Sequence, residues 1–417
     1  MNRALQSILL ATAIAAAPLP CISGTNSTDQ VHNISLTVVS MFDKRLPALT
    51  SKDVADILAE AERVIAKKLA GGTTVSLVYV GEKPFRDLFT TTYRHGKKYA
   101  TLKPWRYDRV LAEKTPILLS DQYEQVVTQF LRQWPLEELR DFFPSSKVST
   151  YGDVYRHVMA TYHKKVRALG RLETKDGDPL LLPEQPPFQS YVEWLAAAHE
   201  QDKYDIILTN TLIVYDLLSC PYPHTVCKHA KVGGSSFTSP RRRAMGGRAL
   251  MVNILEEYGN VKELNPRAGD TPRALRNKIL GGFYLAHEFG HAFYLIPDVY
   301  DHGGACLMNS AFDAMDARKG YELLTADMSA CPKCRPWIDA KHMELQAISL
   351  EREGNHRAAG YRYLECALRT PAVLDVHRRT RLGNLLRQAI AAFKKAEDTV
   401  GIEKCREAAR ALSIGGI

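Results

Sequence analysis

Residues 281–298 read GGFYLAHEFGHAFYLIPD, and no other stretch constrains the chain as tightly. The run is apolar and helix-like, yet it carries His287, Glu288 and His291 in a His-Glu-x-x-His pattern. Two histidines at this spacing fall on one face of an α-helix, about 6 Å apart, close enough to share one ion. A zinc site needs neutral nitrogen donors that converge on one point and leave a position open. His287 and His291 supply two such donors. Zinc lowers the pKa of a water it holds toward about 7. Glu288, beside the same face, can take that proton as general base and pass it to a leaving amine. The third ligand must come from beyond the helix. Pro297 should end the helix near Leu295, which lets the chain fold Asp298 back to the metal. His302 is the runner-up, with Asp313 and Asp316 as more distant carboxylates. The plain alternative is a buried pair of helical histidines beside a surface glutamate.

Upstream, the chain reads as a scaffold that delivers this helix. Asn33–Phe42 alternates and is β-branched, as a strand would be. Ser51–Leu69 follows with an N-cap serine, apolar residues at helical spacing and lysines at its end, stopped by Gly71 and Gly72. Thr73–Val80 is a second strand, and a β-α-β start implies a parallel pair with a crossover helix. The segment 82–187 reads as a helical insertion, with Ser120–Gln133, Leu136–Phe142 and Tyr151–Ala168 its clearest helices. Phe188–Gln201 predicts a helix, Ile206–Val214 a buried strand, Gly233–Thr238 an irregular strand with a Gly-Gly bulge, and Gly247–Leu255 another strand. Thr271 and Pro272 then open the motif helix as N-cap and first-turn proline.

The N-terminus carries a different message. Arg3 precedes the apolar run Ile8–Ala17, and Pro18, Pro20, Cys21 and small residues follow, so residues 1–24 read as a secretory signal peptide. That predicts a secreted, periplasmic or extracellular protein; Cys21 invites lipid anchoring, but Pro20 before it argues against that processing. The apolar run is too short for a membrane span, and no later stretch is long enough. Asn26 and Asn33 open glycosylation sequons. Cys220 and Cys227 flank the turn-rich SCPYPHTVC and, in an exported protein, predict a disulfide rather than free thiols. The net charge is +9, but its lysines and arginines are scattered apart from Arg241–Arg243 and a basic tail, with no interleaved aromatics. A nucleic-acid partner is therefore not expected.

Downstream of the motif come Cys306-Leu307-Met308 and then Cys331-Pro-Lys-Cys334. HEFGH, an acidic or histidine ligand soon after, Cys-x-Met and Cys-x-x-Cys together resemble the archaemetzincin branch of the metzincin zinc peptidases. The strand-helix-strand start, the Gly-Gly edge strand and GRALMVNIL resemble a metzincin N-terminal subdomain. The resemblance covers the two outer parts of Asn33–Asp339 and skips the insertion. It implies a zincin-like α/β fold, a Met-turn beneath the metal at Met308, and an edge strand at Gly233–Thr238 that holds an extended peptide by β-addition. The chain departs from the family in places. The family's helix-ending glycine, third after the second histidine, is Tyr294 here, and the third ligand falls one residue late, at Asp298 rather than Pro297. The family's cysteine directly after the third ligand is Val299. That cysteine and three later ones bind a second, structural zinc in the family. Here His302 would replace it, giving a Cys3His site with Cys306, Cys331 and Cys334. The alternative for these cysteines is one disulfide and one free thiol.

The fold expected is α/β: a twisted, mostly parallel sheet of about five strands, an active-site helix, and a C-terminal tail. Residues 25–335 form the catalytic domain, and the helical tail 336–417 follows. Ala347, Gly354, Ala359, Tyr363 and Pro371 fall where a tetratricopeptide-like repeat has its small, turn and aromatic residues, and His377–Leu412 makes a second hairpin. The tail offers a surface for protein contact, and Cys366 and Cys405 could pair. The function expected is an exported zinc-dependent endopeptidase acting on peptides or proteins, with Tyr300 and Tyr321 as candidate oxyanion donors. The alternative is a non-catalytic secreted scaffold that uses the metzincin shape and the tail for binding.

Overall fold

The computed structural model describes residues 32–42, 48–69, 73–84, 92–95, 98–101, 120–132, 135–140, 148–169, 181–183, 204–210, 212–214, 231–232, 234–238, 248–253, 269, 271–296, 306–308, 321–322, 324–326, 330–371 and 376–414. They fall into two compact units, one built from Asn33–Ala70 and Val75–Ala330 and the other chiefly from Cys331–Ile417. The signal peptide, Asn26, Cys220, Cys227, Phe188–Gln201, Asp298, Tyr300, His302, Asp313 and Asp316 lie outside the described residues.

The first unit is mixed α/β. Its elements run β1 (His32–Phe42), α1 (Ser51–Lys68), β2 (Thr73–Pro84), β3 (Thr92–His95), β4 (Lys98–Thr101), α2 (Asp121–Leu131), α3 (Leu136–Arg140), α4 (Tyr151–Leu169), β5 (Leu181–Pro183), β6 (Ile206–Thr209), β7 (Leu212–Val214), β8 (Lys231–Val232), β9 (Gly234–Thr238) and β10 (Arg248–Asn253). The main sheet has five strands in the order β2-β1-β6-β10-β9. β6 lies between β1 and β10 and is parallel to both, with Val38 opposite Ile206 and Ile206 opposite Leu250. β9 closes one edge antiparallel to β10, Phe237 opposite Ala249. β6 is buried along its whole length, as its unbroken apolar run requires of a strand covered on both faces.

Several sequence expectations shift. The helix N-cap is Thr50, not Ser51: the Thr50 side chain accepts the Asp53 N–H, and Asp53 reaches back to the Thr50 N–H, a reciprocal capping box. The expected single strand Ile206–Val214 is two strands in different sheets, for β7 pairs with β5 and β8 in a separate three-stranded sheet. The break falls at Asn210, a fully buried polar residue just after β6. The insertion is not purely helical either. It holds the antiparallel pair β3–β4 and the short β5 beside helices α2, α3 and α4; a strand of three or four residues gives too short an alternation to read from sequence.

Helix α1 is amphipathic. Val54, Ile57, Leu58, Ala61, Val64 and Ile65 recur at three- and four-residue steps and are all buried. That face packs against the helix that carries His287.

The second unit is helical: α7 (Arg335–Arg352), α8 (His356–Arg369), α9 (Val376–Lys395) and α10 (Thr399–Ala411), the labels α5 and α6 being kept for the motif helix below. Sequential helices pack together around Tyr363, Leu364, Leu382, Leu385, Leu386 and Phe393. Its core also holds charge. Lys341 is fully buried, 3.2 Å from Glu344, and Arg381 reaches the same Glu344 carboxylate at 3.5 Å. Cys366 and Cys405 do not pair. Both are free and buried, and Cys366 donates to the Ala340 carbonyl at 2.9 Å. Burial pushes each thiol up to about 12. Among the described residues, no helix is long and apolar enough to cross a membrane.

Candidate metal centre

The motif helix begins as the sequence predicts. Thr271 caps it by accepting the Ala274 N–H at 3.1 Å, and Pro272 fills the first turn of α5 (Pro272–Ile279). Its start is tied to the start of α1 through one carboxylate. Asp53 accepts from Arg273 Nε at 2.6 Å, Arg276 Nη2 at 2.9 Å and Asn277 Nδ2 at 3.0 Å, besides its own cap contacts with Thr50. The two helices can approach closely because residue 281 is glycine: a Cβ there would overlap the Ile57 carbonyl oxygen.

The motif helix is not a plain α-helix. After α5 it widens into a π-helical segment, Leu280–Leu285, returns to α-geometry in α6 (Ala286–Phe289), and widens again over Gly290–Tyr294. A π-turn spends one residue more per turn than an α-turn, the usual way for a helix to absorb an inserted residue, and such turns recur at functional sites. The turn at Gly290–Tyr294 follows α6 and changes where the helix ends. Leu295 takes the left-handed conformation, φ 59° and ψ 29°, and its N–H closes on the Gly290 carbonyl. Ile296 N–H reaches the same carbonyl at 3.3 Å. The helix thus stops at the residue that Pro297 predicts.

His287 and His291 meet. Their Nε2 atoms are 3.0 Å apart and their rings stand edge to face, 4.6 Å between centroids. Each Nδ1 is held by a backbone carbonyl: Leu307 O lies 2.7 Å from His287 Nδ1, and Ile296 O lies 2.6 Å from His291 Nδ1. A carbonyl oxygen can only accept, so each Nδ1 carries a proton and the two Nε2 atoms face each other. At that distance they share either a proton or a metal cation between them. Two nitrogens on a tetrahedral zinc stand roughly 3.3–3.4 Å apart, given Zn–N of about 2.0–2.1 Å. The pair therefore fits a divalent ion with a few tenths of an ångström of adjustment. Glu288 is half-buried beside His287, as are both histidines.

The segment Cys306-Leu307-Met308 brings three functions into one turn. Leu307 supplies the carbonyl that orients His287. Met308 is fully buried and its sulfur sits where a Cβ on Gly290 would be, so the methionine packs directly under the residue before His291. Cys306 Sγ accepts the Met308 N–H at 3.4 Å. Cys306 and Cys334 are buried, and with Cys331 they make a three-cysteine group. A group of this composition could hold a metal ion, and thiolate donors favour soft or borderline ions. Tyr321 is half-buried in a short helical turn.

The histidines, Met308 and the three cysteines stand out in the sequence, but what orients the two histidine rings does not. The carbonyls of Leu307 and Ile296 leave no trace in residue type. Gly290 and Asp53 do leave a signal, a glycine inside the motif and an acid at the third helical position, but neither points to its partner far along the chain. Compared with protein-family models, curated proteins and solved structures, the chain matches none.

Proposed function

We propose that the chain is an exported, zinc-dependent endopeptidase of the metzincin kind, with Glu288 as its general base. The observation that carries the reading is the pair of Nε2 atoms facing each other at 3.0 Å, each ring held at Nδ1 by a backbone carbonyl. That is a prepared two-nitrogen donor set. Asp298 is the third donor, with His302 as its rival. The wide turn at Gly290–Tyr294 supports Asp298, because one extra helical residue moves the left-handed stop from Tyr294 to Leu295 and would defer the third ligand equally.

A bound zinc ion supplies an acidified water and polarises a carbonyl oxygen. The rest falls to the chain's own residues. His287 and His291 hold the ion through Nε2. Glu288, beside the histidine face, takes a proton and delivers it to the departing amine. β9 is the outer strand of the sheet and packs against the last turns of the motif helix, so an extended peptide laid along it by β-addition would pass the histidines. Cys306, Cys331 and Cys334 hold a second zinc of structural type, with His302 as fourth donor where Asp298 completes the first site.

The deciding experiment is Glu288→Gln. The variant should bind zinc as the wild type does and lose hydrolysis of a peptide library; hydrolysis at the wild-type rate would refute the mechanism. Zinc-loaded wild type with no activity on any peptide would favour the scaffold reading instead.

A further inference from the structure

We infer that Leu295, whose side chain offers a metal no donor atom, is a positioning residue for the histidine site: its left-handed backbone aims the Ile296 carbonyl at His291. The inference rests on reading the histidine pair as a metal site.

Leu295 has φ 59° and ψ 29°. Few non-glycine residues occupy this region, because Cβ crowds the following carbonyl. Here the conformation reverses the chain at the end of the helix. Leu295 and Ile296 both turn their N–H groups back to the Gly290 carbonyl. The Ile296 carbonyl then lies 2.6 Å from His291 Nδ1. In a continued helix the same carbonyl would point along the axis, away from His291. Ile296 is buried at 1% exposure, which pins the peptide in place. The geometry makes the left-handed residue the source of the imidazole's orientation: with the carbonyl on Nδ1, a proton stays there and Nε2 is the nitrogen turned toward His287 and the proposed ion. His287 provides an internal control. Its Nδ1 is held by Leu307, in a segment that Leu295 does not shape.

The test uses the full chain in wild-type, Leu295→Gly and Leu295→Val forms. Glycine enters the left-handed region freely and β-branched valine resists it. Long-range nitrogen–proton correlation spectra of the metal-free proteins, near about pH 8 where imidazole is neutral, report each tautomer. Cobalt(II) titration reports affinity. The wild type and the glycine variant should show Nδ1–H at both histidines and cobalt affinities within about twofold of each other. The valine variant should lose that state at His291 alone and bind cobalt roughly 10- to 100-fold more weakly, the range typical when a ligand's orienting partner is removed. Wild-type tautomers and affinity in the valine variant would overturn the inference. So would a wild-type His291 that carries its proton on Nε2. Leu295→Ile, β-branched like valine and equal to leucine in volume, is read by the same outcomes if the valine variant does not fold. A wild type that binds cobalt with the expected tautomers but cleaves nothing defeats the peptidase reading and leaves this one standing.

Discussion

Replacing Asp53 with alanine should destabilise the α/β unit by about 3 kcal/mol. Asp53 is 3% exposed and accepts from Thr50, Arg273, Arg276 and Asn277. Breaking a buried ion pair by removing one partner costs roughly 3–5 kcal/mol, since the other charge is left without its counterion. Arg276, with a side chain 13% exposed, is in that position; Arg273, at 54%, can return to water and contributes little. Loss of the capping box adds about 1 kcal/mol. Relaxation of the exposed arginine brings the sum back to roughly 3 kcal/mol, a fall in Tm of about 6–12 °C for a unit of this size. Burial by itself would raise the Asp53 pKa, but the hydrogen bonds from Arg273, Asn277 and Thr50 outweigh it and hold the carboxyl well below its ordinary value. The folded pKa is therefore depressed. The stabilisation is complete above the unfolded pKa of about 4 and is lost as the pH falls from there toward the folded value. Urea denaturation of wild type, Asp53→Ala and Asp53→Asn at neutral pH and near about pH 3 tests both parts. The wild type should lose about 1.4 kcal/mol of its advantage over Asp53→Ala at about pH 3, roughly one unit below the unfolded pKa, and the asparagine variant should lie between them with a flatter pH dependence. A neutral-pH difference below about 1 kcal/mol would refute the account of Asp53 as the carboxylate that joins the two helix starts.

Gly290→Ala should reduce cobalt or zinc affinity and lower Tm, since the new Cβ would overlap the Met308 sulfur; overpacking of about 1–3 kcal/mol exceeds the roughly 1 kcal/mol that alanine gains in a helix. An unchanged thermal midpoint would remove Met308 as a rigid support. Cys331→Ser should lower the metal content of the purified chain by one equivalent while leaving hydrolysis-competent zinc in place; a single zinc per chain, the same in both proteins, would eliminate the cysteine site. Glu344→Ala should destabilise the helical unit by about 3 kcal/mol, because it leaves the buried Lys341 and Arg381 facing each other as like charges. Lys341→Met, read by the same calorimetry, should cost less.

What the sequence made legible follows from how far each signal reaches. The strands β1, β6 and β10, the helix α1 and the four helices of the tail were visible because apolar periodicity repeats over enough residues to be counted. The hairpin β3–β4 and the strand β5 were not, because three or four residues carry no period. The division of Ile206–Val214 between two sheets was hidden because two similar apolar runs, Ile206–Leu208 and Leu212–Val214, are separated by only three polar residues. His287, Glu288 and His291 stood out in the sequence because the metal chemistry proposed for them restricts residue type. The carbonyls that orient the rings were invisible because every residue has one. The departures at Tyr294 and Asp298 read in the sequence as two separate irregularities. In three dimensions the stop at Leu295 has one cause, the additional residue in the wide turn Gly290–Tyr294.

That turn also bears on how kin of this chain can be found. It spans the second histidine but leaves the four-residue interval between the two unchanged, while the landmarks beyond fall one residue later than in the metzincin pattern that the sequence resembles. A signature written with rigid intervals would accept the first half of this helix and reject the second. A pattern that permits a single optional residue between the second histidine and the helix stop, and does not demand glycine at that stop, would keep both halves. Sequences gathered that way would be expected to show the optional residue and a left-handed turn one place late together, or neither.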